Sequence, residues 1–169
     1  MGYRLGIDLG TAFTAAAFIE DAEPRMLELG RRQVSVPSVL LVTEDGTLLI
    51  GEAAERRAAT EPDRVIREFK RRFGDQVPLV VSGHSFSPVE LQTEVLRWVL
   101  DHAEQRLPPM REHTVVTHPA GWGPYKLQCM RDMLAEAGIA GATLCPEPVA
   151  AAIEFAATRR VPDGAKLVI

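Results

Sequence analysis

The seven residues Tyr3–Leu9 alternate with period two, which places Tyr3, Leu5, Ile7 and Leu9 on one apolar face of a strand. Gly10-Thr11 breaks the pattern, and Phe13–Ile19 reads as a return strand, making a hairpin whose turn carries Asp8, Gly10 and Thr11. A third strand over 25–29 would complete an antiparallel meander.

The rest of the chain must supply what covers that sheet. Val36-Pro37-Ser38 marks a bend before a strand over 39–42, and Asp45-Gly46 is a turn signal before a strand over 47–50. Helical patterns follow over 52–59 and 64–73, the second with Val65, Ile66 and Phe69 on one face and Gly74 as its stop. Leu79–Val81 and His84–Phe86 read as a small hairpin around Ser82-Gly83. Ser87, Pro88 and Glu90 then spell a capping box with proline at the first helical position, opening a helix that Pro108-Pro109 stops. The final third alternates: strand over 114–117, helix over 124–137, strand over 142–144, helix over 146–158, a turn at 162–164 and a strand from Lys166. Three strands followed by α-β-α-β predict an α/β fold, a mixed β-sheet flanked by helices.

Composition narrows the class. The 169 residues suit one ordinary domain, and 46% hydrophobic with 25% charged residues is globular composition. A net charge of −4 leaves no electrostatic footprint for nucleic acid and no polybasic membrane patch. No apolar run approaches the roughly 20 residues of a membrane span, and no secretory signal opens the chain, so a soluble, cytoplasmic domain is expected. Cys129 and Cys145 make no ligand cluster or disulfide framework and are expected as buried, reduced thiols. The chain has sixteen arginines, three lysines (Lys70, Lys126 and Lys166) and no asparagine, a bias expected of GC-rich bacterial coding that makes each lysine notable.

Neither a Walker A loop, a G-x-G-x-x-G run, His-Glu-x-x-His nor Gly-x-Ser-x-Gly occurs. His84, His102, His113 and His118 are scattered and read as surface or packing residues. The opening hairpin remains. Gly6-Ile7-Asp8-Leu9-Gly10-Thr11 sets a carboxylate at a strand end beside a flexible glycine and a hydroxyl. Backbone amides there can turn toward an anion, and an acid beside a phosphate requires an intervening divalent cation. A Mg²⁺-phosphate site and an ordinary polar turn both satisfy these six residues.

Four segments together resemble the DnaK-type heat-shock 70 kDa chaperones, in that family's order and near its spacings. They are the hairpin, Phe69-Lys70-Arg71-Arg72-Phe73-Gly74, Val115-Val116-Thr117-His118-Pro119-Ala120, and Pro146-Glu147-Pro148-Val149-Ala150-Ala151-Ala152. The resemblance spans essentially the whole chain and implies the first lobe of an actin-like, ribonuclease H-like ATPase fold, with a small subdomain inserted at about 37–110. It implies ATP or ADP and Mg²⁺ as cofactors. Asp8 would hold Mg²⁺ through water, and Gly10, Thr11, Ala12 and Phe13 would wrap the β- and γ-phosphates. Lys70 would reach the γ-phosphate, and Glu147 would sit near Mg²⁺ and couple nucleotide state to the rest of the protein; with Asp8 these are the catalytic candidates. Pro119 corresponds to the family's switch proline.

The chain also departs from the family pattern. Ala12 replaces a hydroxyl residue, Leu127 stands where the switch's arginine partner falls, and Trp122-Gly123-Pro124 replaces a Phe-Asn-Asp stretch. A divergent bacterial relative is implied. The family's second phosphate loop would begin after Ile169, so the chain reads as truncated, one jaw of a two-jaw clamp expected to bind ATP weakly and not to hydrolyse it. Its expected partners are the remainder of its own ATPase domain, client proteins and co-chaperones, and the isolated lobe is expected to oligomerise through Val149, Ile153 and the last strand. Two alternatives stand beside this reading: a pseudo-ATPase or scaffold lobe that binds a protein partner, and a sugar- or acetate-kinase-type member of the same fold.

Overall fold

A computed structural model describes residues 2–20, 23–31, 33–108, 111–160 and 166, with the backbone alone at 111 and 112. β1 (Tyr3–Leu9) and β2 (Phe13–Ile19) form the antiparallel hairpin that the alternation predicts, with Leu5 opposite Phe18 and Leu9 opposite Thr14. Tyr3, Leu5, Ile7 and Leu9 are all buried, as their shared face requires. β3 (Pro24–Met26) and β4 (Ser35–Pro37) both pair antiparallel with β2. The third strand is thus shorter than expected and begins earlier. Leu27 and Leu29 lie beyond β3 but stay buried in the core, and Leu27 N–H still donates to the Ala16 carbonyl of β2 at 2.9 Å. The residues read as a bend at 36–38 instead begin in a strand, because Thr14 and Val36 face each other across the sheet.

A second sheet is built from β5 (Leu40–Val42) and β6 (Leu48–Ile50), joined by the Asp45-Gly46 turn. α1 (Glu52–Ala58) packs on it through buried Ala54. The helix predicted over 64–73 does not form. A 3-10 turn (Pro62–Arg64) leads into the two-residue β7 (Val65–Ile66), which pairs with Leu40 and Leu41 of β5. Glu68 then takes a left-handed backbone at φ 54°, and a second 3-10 turn (Phe69–Arg72) follows. The β-branched pair Val65-Ile66 gains an edge of sheet, which outweighs the helical periodicity of the run. Gly74, with φ 84°, ends the turn in a conformation that favours glycine.

β8 (Leu79–Val81) and β9 (His84–Phe86) form the expected hairpin. α2 (Pro88–Arg106) opens on the capping box in full: Ser87 Oγ accepts from Glu90 N–H, and Glu90 accepts from Ser87 N–H. Leu91, Val95, Leu96 and Val99 lie along its buried face and join β1 in the main core. Each such side chain contributes about 1.5–3 kcal/mol by leaving water.

β10 (Arg111–His118) runs parallel to β1, α3 (Pro124–Glu136) crosses back, and β11 (Thr143–Pro146) adds parallel to β10. α4 (Glu147–Thr158) follows directly. The main sheet therefore has the order β11-β10-β1-β2-β3, with β4 also on β2. Cys129 and Cys145 are free, but half-buried where full burial was expected. The turn expected at 162–164 lies outside the described residues, as does all but Lys166 of the strand after it. Among the described residues, no helix is long and apolar enough to cross a membrane.

Candidate functional site

The three parallel strands β1, β10 and β11 end on the same edge of the sheet. Asp8 is the penultimate residue of β1, Thr117 the penultimate residue of β10, and Glu147 the first residue after β11. In α/β sheets ligands settle in the crevice outside the carboxyl ends of strands. Register brings Ile7 beside Val116, so Asp8 and Thr117 are neighbours, and Thr117 Oγ1 donates to Asp8 Oδ1 at 2.8 Å. That bond orients an exposed carboxylate whose other oxygen stays available.

The turn after β1 is tightly fixed. A side-chain carbon on Gly10 would lie 2.2 Å from the Phe13 carbonyl oxygen, so only glycine fits. Ser38 staples the turn from below: its hydroxyl donates to the Gly10 carbonyl at 2.7 Å, and its N–H donates to the Ala12 carbonyl at 2.8 Å. Buried Thr14 meets the same hydroxyl at 2.9 Å. Thr11 is half-buried, Ala12 exposed, and the Phe13 ring 57% exposed, so Phe13 offers its backbone rather than its ring to anything held there.

Lys70 enters from the second 3-10 turn. It is only 6% exposed, and its Nζ donates to Glu147 Oε1 at 2.7 Å. The ring of Trp122 stacks on buried Phe73 at 4.7 Å and 4° between planes, and Lys70 Nζ lies 6.0 Å from the centre of that ring. Lys126 Nζ lies at the same distance from it. A narrow gap beneath Lys70 is lined by Leu9, Gln92, Thr117, Trp122 and Met130, and the buried Gln92 Oε1 has no hydrogen-bond partner. Pro119 follows β10, and its carbonyl accepts from His118 Nδ1 at 3.0 Å and from Trp122 N–H at 3.2 Å. His118 is accordingly a buried packing residue.

The structure thus gathers Asp8, the 10–13 turn, Lys70 and Glu147 around one sheet edge, with Pro119 at the turn leading to Trp122. Thr117, Ser38 and Trp122 join them without having been singled out by sequence as site residues. Ser38 left one trace, a hydroxyl inside an apolar run. Thr117 left none, since its partner is 109 residues away. Among the described residues no three His, Cys, Asp or Glu side chains converge on a metal position. Two carboxylates and a hydroxyl are the donor set expected where Mg²⁺ arrives with phosphate oxygens and keeps its waters. The glycine cradle at Gly10 fits an anion drawn close to the backbone.

A mixed sheet flanked by helices, with a glycine turn and an acid at the carboxyl edge of β1, is part of an actin-like ATPase fold. Residues 4–81 match the family described as Hsp70 protein. The chain is 34% identical over 161 residues to the chaperone protein DnaK of Endomicrobium trichonymphae, covering 92% of this chain and 26% of that protein. The chaperone protein DnaK of Elusimicrobium minutum (strain Pei191) matches at the same identity and coverage. Together these matches support an N-terminal lobe of the DnaK-type Hsp70 family. It spans about a quarter of the length of these curated relatives.

Proposed function

We propose that this chain is the first lobe of a chaperone ATPase domain that holds the phosphates of Mg·ATP or Mg·ADP against the 10–13 turn. The observation that carries this reading is the turn itself, closed to any residue but glycine at position 10 and stapled by Ser38. In a cytoplasmic DnaK-type protein the segment 37–110 acts as an inserted subdomain that delivers Lys70 to the site.

Asp8 would hold Mg²⁺ through water, with Thr117 keeping its carboxylate in place. When bound, the cation neutralises phosphate charge and polarises the phosphoryl oxygens. Lys70 is a compact, movable cation able to trade its Glu147 partner for a phosphate oxygen. Glu147 opens α4, so that trade couples the site to a helix, with Pro119 at a second exit toward the rest of the protein. The remainder of the ATPase domain supplies donors on the far side of the phosphates, and this lobe alone binds nucleotide weakly without hydrolysing it. Client proteins and co-chaperones are partners of the whole protein.

A complete ATPase domain carrying Lys70→Ala tests the assignment: a turnover rate fallen by about 100-fold or more is expected, with Mg·ATP still bound. An unchanged rate sinks the role of Lys70, and phosphorylation of a small acceptor would favour a kinase of the same fold. The exposed apolar side chains of α4, Val149, Ile153 and Phe155, favour a second reading of this surface as a protein-binding face. The remainder of the same domain is its first expected occupant, and self-association of the isolated lobe the second.

A further inference from the structure

We propose a second anion site on this lobe: an arginine-lined groove between α1 and the C-terminal turn of α2 that binds a small phosphate-bearing molecule. The groove encloses about 280 Å³ and shares no lining residue with the gap beneath Lys70. Arg31, Arg56 and Arg106 line it from three separate parts of the chain, with Trp98 and His102 beside them.

Among the described residues, arginines without a close carboxylate also occur elsewhere, at Arg25, Arg131 and Arg159, but this groove gathers three arginines around a single acid. Arg57, Arg67, Arg71, Arg72 and Arg97 each hold a carboxylate oxygen within 3.3 Å. Within the groove Arg56 reaches Glu52 only at 3.8 Å, and the guanidinium groups of Arg31 and Arg106 have no carboxylate among the described residues. Glu52 is the groove's one acid, and the fold already uses it. Its Oε2 accepts from the Arg31 backbone N–H at 3.3 Å, and its Oε1 lies so close to Gly30 that a side-chain carbon there would stand 2.1 Å away. In a chain of net charge −4, three guanidiniums around one committed carboxylate form a local positive site.

The aromatic wall is built as well. Trp98 and His102 pack with ring centres 4.1 Å apart, and His102 Nδ1 donates to the Trp98 carbonyl at 2.8 Å. That bond fixes the imidazole and leaves its Nε2 unengaged among the described residues. Gly51, at φ 66°, lets α1 begin against the Trp98 ring, 3.7 Å from where its side-chain carbon would be. Planar guanidinium forks match tetrahedral oxyanions bidentately, so phosphate esters and pyrophosphates are the ligand class that suits the groove. Its volume admits a small molecule rather than a nucleic acid strand.

Trp98 and Trp122 are the only indoles, which makes the site readable by fluorescence. In the 169-residue chain with Trp122→Phe, Trp98 reports alone. Sodium pyrophosphate and glycerol phosphate are titrated separately at constant ionic strength held with NaCl. Saturable change in Trp98 emission, with a Kd below about 1 mM for either probe, is the expected result. Saturation by pyrophosphate alone would identify a diphosphate ligand, and saturation by both a phosphate ester. Arg31→Gln with Arg106→Gln should weaken binding at least tenfold, and Arg31→Lys with Arg106→Lys by less. Lys70→Ala should leave it unchanged, so the result stands apart from the nucleotide reading. A response matched by NaCl alone, or retained in the double glutamine variant with unaltered circular dichroism, would overturn the proposal.

Discussion

Lys70 Nζ and Glu147 Oε1 meet at 2.7 Å across 77 residues of sequence, tying a 3-10 turn to the first residue of α4. The pair is lopsided: Lys70 is 6% exposed, whereas the Glu147 side chain is 39% exposed. The lysine is thus the member that needs a partner, and the glutamate the one able to release it at modest cost. The same carboxylate sits in the first turn of α4, where the helix dipole favours a negative charge. Its structural and its proposed signalling roles are compatible.

Glu147→Gln keeps the shape and removes the charge, leaving a buried ammonium without its counterion. Stability should fall by about 1–2 kcal/mol, less than for a pair buried on both sides. Urea unfolding of Glu147→Gln, Lys70→Met and the double variant closes the cycle. A coupling of about 1 kcal/mol or more is expected, and strict additivity would show that the contact contributes nothing.

Ser38→Ala removes the staple beneath the 10–13 turn and strands Thr14 Oγ1 in the core. A buried hydroxyl without a partner costs about 1–3 kcal/mol. The thermal midpoint should fall accordingly, and in a complete ATPase domain the affinity for Mg·ATP should fall with it. Ser38→Thr can keep the hydroxyl contacts and should recover part of the affinity.

Gln92 carries the opposite expectation. It is 3% exposed, and its Oε1 is buried without a partner. Gln92→Met preserves the length of the side chain and removes the orphaned acceptor, so stability should rise by about 1 kcal/mol. The urea midpoint measures it. A lower midpoint would mean that an ordered water in the gap beneath Lys70 already satisfies the amide.

Acid should loosen the second sheet at its β5–β6 turn. Asp45 accepts from the Thr43 hydroxyl, the Thr47 hydroxyl and the Thr47 N–H, and these bonds hold its carboxyl down from 3.8 to about 2. A carboxyl lowered on folding adds stability that is complete above its unfolded value and lost as pH falls through its folded one. The contribution of Asp45 should therefore fade between about pH 4 and pH 2. Carboxyl carbon shifts followed by NMR across that range would read it directly, and Asp45→Asn should flatten that part of the stability profile.

Local signals in this sequence were legible and held. Period-two alternation gave β1 and its buried face, Ser87 with Glu90 gave the start of α2, and Gly74 takes the positive φ expected of a stop. Asp8, Gly10 and Thr11 could be named as a candidate site because hairpin turn and strand end are adjacent in the chain. The run 64–73 misled because its apolar spacing suits a helix, yet Ile66 finds Leu40 across a strand pair that no local window contains. Both cysteines, expected as buried thiols, are free but only half-buried.

By itself, then, the sequence determined the β1–β2 hairpin, where α2 is capped, and that position 10 lies in a turn where backbones approach closely. Those outcomes depend on residues within a turn or a strand of one another. The tertiary structure alone decided that Thr117 holds Asp8, that Ser38 staples the turn, and that Lys70 is buried against Glu147. Each of these partnerships follows from sheet register and from crossovers that bring distant polar groups to one edge. A polar side chain accepts many partners equally well in water, and only packing chooses the one left within reach once water is gone.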